Sequence, residues 1–162
     1  MKISIKPFVS IALLACAFFT AVPSADARRG EKSVGINGGY ASYNDGGYAA
    51  LNFQYSFADH VRIAPEIGYV FRNKGCSAFE ASIDMHFPFR LAKGVGIYPL
   101  TGLTLNDWNY RDDGHATRLG VDFGAGFDFY LTSYLKLNAQ AKYSLMNDTG
   151  GWFAGVGIGY VF

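Results

Sequence analysis

Disulfides cannot hold this chain together. Two cysteines occur in its 162 residues, and Cys16 falls in an apolar leader. Cys76 is then alone, so an oxidising compartment has to be met with some other source of rigidity. A surplus of one charge is also missing. Setting aside Lys2, Lys6 and Asp26 of the leader from fourteen basic and thirteen acidic residues leaves twelve of each. That balance gives no reason to expect nucleic acid as a partner. Beyond the leader, no run approaches the ~18 apolar residues of a membrane-spanning helix. No stretch repeats its apolar residues at the helical spacing of 3.6 either. Proline is scarce, with only Pro65, Pro88 and Pro99 beyond the leader.

The leader has the layout of an export signal. Lys2 and Lys6 precede the mainly apolar stretch from Phe8 to Val22, and Ala25-Asp26-Ala27 is a small-x-small cleavage pattern. The expected division is a signal peptide over 1–27 and a mature domain over 28–162, starting at Arg28. Leu13-Leu14-Ala15-Cys16 offers a competing lipoprotein box, but apolar residues continue past Cys16 and the Ala-x-Ala site follows.

Glycine and aromatics are abundant, with 20 Gly, 14 Phe and 11 Tyr. Their order carries the fold. From Trp152, every second residue (Ala154, Val156, Ile158, Tyr160, Phe162) falls on one face, and Gly155, Gly157, Gly159 and Val161 fall on the other. Period two is a strand. Seven earlier stretches repeat the pattern, at about 33–42, 47–57, 61–71, 76–89, 94–105, 118–130 and 134–145. The expectation is an all-β, eight-stranded antiparallel up-and-down barrel. Pro65 and Pro99 cannot donate to a ladder and are expected at bulges. Connections after the second, fourth and sixth strands read as tight. The others read as longer, the longest being the polar stretch 106–117.

Which face points outward follows from cost. The polar face carries Arg62, Glu66, Glu80, Asp84, Asp122, Asp128, Lys136 and Lys142. A basic residue facing lipid at mid-membrane costs about 2–4 kcal/mol. Turned inward, these charges fill an eight-stranded barrel whose interior is just wide enough for side chains, with glycines leaving room for them. They should pair there as a lumen ion network, because lone buried charges are costly. A tight turn over 131–133 would set Asp128 opposite Lys136 and Asp122 opposite Lys142. Aromatics gather at the strand ends, where rings favour a membrane–water interface.

These residues carry a resemblance. The leader ending Ala25-Asp26-Ala27, the eight two-residue-repeat strands and the terminal Gly-Val-Gly-Ile-Gly-Tyr160-Val161-Phe162 resemble small bacterial outer-membrane β-barrels of the OmpA/OmpX and opacity-protein type. The resemblance covers the whole mature chain and implies the bacterial outer membrane as location. It implies outer-membrane lipid, lipopolysaccharide and the barrel-assembly machinery as partners, with Tyr160 and Phe162 as the assembly signal. It is unspecific for activity, since such barrels include adhesins, anchors, narrow channels and a few enzymes.

Chemistry is thinly signalled. His60 sits in a turn and His86 near a strand end. His115, near Asp112 and Asp113, could serve acid–base or metal chemistry, but reads as part of a solvated loop. The His-x-Ser arrangement of lipid A deacylase barrels is missing. Gly155-x-Gly157-x-Gly159 precedes no helix and is not a phosphate loop. The reading is therefore a non-enzymatic barrel with no cofactor, metal or catalytic residue. Its polar lumen is plugged, and it contacts an extracellular partner through Trp108, Asn109, Tyr110 and Arg111. A narrow passive channel is the alternative, and a lipid A-modifying enzyme comes third.

Overall fold

A computed structural model describes residues 29–111, 114–147 and 149–162. The leader and the Arg28 start lie outside them, as do Asp112 and Asp113. The strands are β1 (Lys32–Ala41), β2 (Gly46–Ala58), β3 (Val61–Asn73), β4 (Cys76–His86), β5 (Phe89–Ala92), β6 (Val95–Tyr110), β7 (Gly114–Tyr130), β8 (Leu135–Met146) and β9 (Thr149–Val161). All pairings are antiparallel; they join chain neighbours except where β4 pairs with β6, and β1 against β9 closes the ring. β4 and β5 both pair with β6. They form one wall position broken at Phe87-Pro88, where Pro88 has no N–H to donate. The result is a closed up-and-down barrel of eight walls.

The two-residue alternation sorts the side chains as the composition demands. Phe123 is 51 % exposed, Val156 68 % and Ile158 48 %, while Asp122 and Lys142 are fully buried. Exposed rings lie near both ends, among them Phe129, Tyr134, Tyr160 and Phe162 at the rim of the chain termini, and Tyr40, Tyr69 and Trp152 at the far rim. Tyr160 stacks between Tyr134 and Phe162.

Four expectations change. Pro65 and Pro99 are not bulges: Pro65 stays opposite Ile83 and Pro99 opposite Ala125, in registers that do not shift there. Each prolyl ring forfeits a bond while pairs on either side hold the ladder. Pro88, within the expected fourth strand over 76–89, is instead where that strand breaks, between His86 and Phe89. The polar stretch 106–117 is not a long loop, because β6 runs to Tyr110 and β7 starts at Gly114. With it goes the contrast between rims, since no connection at either rim exceeds four residues. Lys74 and Gly75 both have positive φ, 48° and 81°, which is the backbone of a two-residue hairpin turn.

The register between β7 and β8 also differs. Asp128 lies opposite Asn138 and Asp122 opposite Ser144, while Lys136 lies opposite Tyr130. Thr132 is the cause. Its Oγ1 accepts from the amides of Tyr134 and Leu135 at 3.2 and 3.0 Å, and Leu131 N donates to Leu135 O at 2.9 Å. The turn therefore centres on Ser133, one residue later than expected.

Candidate functional site: the filled lumen

The interior is built in three tiers. Nearest the terminal rim, Arg62 on β3 is buried and donates from Nη1 to Asp128 Oδ2 on β7 at 2.7 Å. Its Nη2 lies 3.0 Å from His86 Nδ1. A guanidinium only donates, so that ring nitrogen is the acceptor. The guanidinium sits over the Tyr98 ring, 4.8 Å from its centroid, and Tyr98 stacks on His86 at 4.5 Å. Lys136 donates to Gln54 Oε1 at 2.7 Å and lies 5.8 Å from the Tyr130 ring centroid.

The middle tier surrounds Lys142. Its Nζ lies 2.8 Å from Glu80, 3.2 Å from Asp122, 3.5 Å from Glu66 and 3.6 Å from Asp84. Four carboxylates from β3, β4 and β7 thus converge on one ammonium from β8. Neutral donors share the load. Asn37 Nδ2 donates to Glu66 Oε2 at 2.5 Å, and Asn138 Nδ2 donates to Asn37 Oδ1 at 3.2 Å. Lys142 also reaches Ser82 Oγ at 3.3 Å.

The tier nearest the far rim is aromatic, and the alternation alone does not reveal it. Tyr43, from the β1–β2 connection, folds into the mouth. Its hydroxyl donates to Ser144 O at 2.8 Å, and its ring lies 5.3 Å from Trp108 and 5.4 Å from Phe153. Tyr48 meets Phe153 edge-on at 5.4 Å. Asn44 follows Tyr43 inward and donates to Phe71 O and Cys76 O at 2.8 and 3.1 Å. Cys76 packs in the same cluster. Outside, Lys74 pairs with Asp45 and Asn73 Nδ2 donates to Asp45 O at 2.8 Å. The Lys74 ammonium, hydrogen-bonded to Asp45, holds that carboxyl below its ordinary range.

Of the sequence-derived residues, all eight lumen charges lie inside, none more than 6 % exposed. Seven of them form two ion-paired groups, Arg62 with Asp128, and Lys142 with Glu66, Glu80, Asp84 and Asp122. Lys136 stands apart on Gln54 rather than on Asp128. The four surface-contact residues separate. Trp108 is 2 % exposed in the aromatic tier, with Tyr110 stacked at 6.4 Å. Asn109 accepts from Arg72 at 3.2 Å, and Arg111 is exposed. The histidines do not converge: His86 is buried against Tyr98, while His115 Nδ1 is 3.8 Å from Asp107 on the outside. Among the described residues no cluster of His, Cys, Asp and Glu fits a metal ion.

Glycine makes the close packing possible at two places. A Cβ on Gly126 would land on the Tyr98 ring, and one on Gly157 would strike the side-chain oxygens of Asn37 and Asn138. Gly126→Val is expected to lower unfolding stability in detergent by about 1–3 kcal/mol, read from urea titration. Adding Tyr98→Leu should recover part of that loss.

This is the architecture of a transmembrane β-barrel: apolar outside, charged inside, closed. Solved structures share it. The N-terminal β-barrel domain of Pseudomonas aeruginosa OprF aligns with TM-score 0.73 at 21% identity, over 83% of this chain and 98% of that one. Ail, the attachment invasion locus protein of Yersinia pestis, aligns at 0.63 and 18%, over 83% and 99%. Neisserial surface protein A aligns at 0.63 and 16%, over 82% and 96%. No family model matches the sequence, and no curated protein matches it.

Proposed function

We propose that the chain is a non-enzymatic bacterial outer-membrane barrel with a sealed lumen, acting through contacts at its far rim. The observation that carries this reading is the stacking of two barriers in one bore. The ring around Lys142 blocks the middle, and Tyr43, Tyr48, Trp108 and Phe153 block the far mouth. An ion crossing would have to separate Lys142 from four carboxylates and then displace a packed aromatic cluster.

An exported chain reaches the outer membrane from the periplasm, so both termini belong on that side and the far rim faces outward. Tyr160 and Phe162 lie on the lipid face of the last strand, where an assembly factor could read them. Lipid and lipopolysaccharide would meet the apolar wall and its rim of rings. At the far rim, Arg111 and Asn109 stay available for an extracellular partner, whereas Trp108 serves the seal.

Conductance in a planar bilayer tests the seal. The purified barrel is expected to give no steady discrete openings. Removing the cap with Trp108→Ala and Phe153→Ala together should leave the Lys142 ring still closing the bore. Steady openings by the unaltered protein would favour the narrow-channel reading, which has the polar interior on its side.

A further inference from the structure

The far rim is uneven. β7 begins at Gly114 and pairs with β6 over its whole length, from Tyr110↔Gly114 to Val95↔Phe129. Its pairing with β8 begins only at Gly120↔Met146. Residues 114–119 are therefore strand on the β6 side, and on the other side no described residue pairs with them, which leaves an open edge. At ~3.3 Å per residue the open edge is about 20 Å long. Along the outer face, Leu105 and Leu119 give way to Asp107, Thr117, Asn109 and His115, so the edge leaves the apolar band at Leu119 and runs beyond it. Unpaired edges accept strands unless they are blunted. This one contains no proline, and among the described residues it carries no bulge.

We infer that Gly114–Leu119 is a docking edge for an extended acidic segment of another protein, added as a strand beside β7. This deepens the surface-contact reading above and rests on it for which rim faces outward. The charge preference comes from Arg118, which lies on the inner face opposite Asn106. It is half-buried, and no ion pair joins it to a described residue. A strand laid beside β7 places one side chain directly across from Arg118, about 5 Å away between Cβ atoms. A carboxylate there would meet a guanidinium that no described residue pairs with.

Symmetry argues against a second copy as occupant. Two barrels in one membrane are related by a two-fold axis along the membrane normal. That operation leaves both β7 strands running the same way with respect to the membrane. With barrel strands tilted about 35–45°, the two facing edges would cross steeply and could not form a ladder. A segment from a different protein has no such constraint, and main-chain bonds along the edge supply its affinity.

The test uses the isotope-labelled full barrel in lipid nanodiscs and a synthetic peptide of alternating threonine and valine with a central glutamate. Amide shifts and hydrogen exchange are followed by NMR. The expected result is shift changes concentrated at 114–119, with roughly tenfold or greater slowing of exchange on the open side. The same peptide N-methylated at alternate residues should have no effect, and Arg118→Glu should weaken binding severalfold while a lysine-centred peptide regains it. Unchanged amides at 114–119, or equal perturbation by the N-methylated peptide, would overturn the docking edge. Undiminished binding to Arg118→Glu would overturn its acidic preference. These outcomes are independent of conductance, so a leaking barrel with a working edge, or a sealed one without it, would be told apart.

Discussion

Replacing Lys142 with methionine is expected to prevent the barrel from folding under conditions where the unaltered chain folds. The substitution keeps length and apolar volume but removes the only cation within 4 Å of Glu80, Asp84, Glu66 and Asp122 among the described residues. Breaking a buried ion pair from one side costs about 3–5 kcal/mol, because the remaining charge has lost its partner. Here four carboxylates lose theirs together. A total stability of roughly 5–15 kcal/mol cannot absorb much more than that. The measurement is gel migration with and without boiling after refolding into detergent. The Lys142→Met chain should show only the unfolded band. Combining it with Glu80→Gln and Asp122→Asn should restore a heat-sensitive folded band, since amides fill the same space without charge. A singly substituted chain that folds normally would mean that the ring is solvated and contributes little.

The second large effect is expected on the opposite face. Val156 lies midway along β9 between Trp152 near the far rim and Tyr160 near the terminal rim, and is 68 % exposed. Val156→Arg should cost about 2–4 kcal/mol in a bilayer. If that face met water, the same change would stay within about 0.5 kcal/mol, as surface substitutions usually do. Trp152→Arg should cost less than Val156→Arg, because an arginine at the interface reaches the headgroups. The gradient with depth, measured by urea titration in lipid vesicles, separates a membrane face from an ordinary exposed one.

How much was legible in the sequence follows from these two faces. The two-residue alternation determines the strands, their number and the side on which each charge sits, because a slip by one residue would move all eight charges into lipid. It leaves the register open. Nothing in the alternation distinguishes a turn centred on Thr132 from one centred on Ser133, and the choice rests on a single hydroxyl accepting two amides. The stretch 106–117 reads as a loop because its outer face turns polar at Asp107. Beyond the bilayer, though, a strand no longer needs an apolar outer face, and β6 and β7 simply continue. The aromatic tier was missed for a related reason. Apolar residues sort outward along most of the wall, but Tyr48, Trp108 and Phe153 point inward where the bore is closed against water. Phe153 carries a recognisable signal, since it interrupts the run of glycines, Gly151, Gly155, Gly157 and Gly159, along that face.

The most direct test is to ask what touches each face of the wall. Single cysteines at Val156 and at Ser144, in a Cys76→Ser background, can carry a small fluorophore in the folded barrel in lipid vesicles. The account predicts that nitroxide-labelled lipid quenches the probe at 156 strongly, that aqueous iodide does not, and that the cysteine at 144 resists labelling until the barrel is unfolded. Quenching by iodide but not by lipid at 156 would place that face in water, and the inside-out assignment of the chain would be wrong.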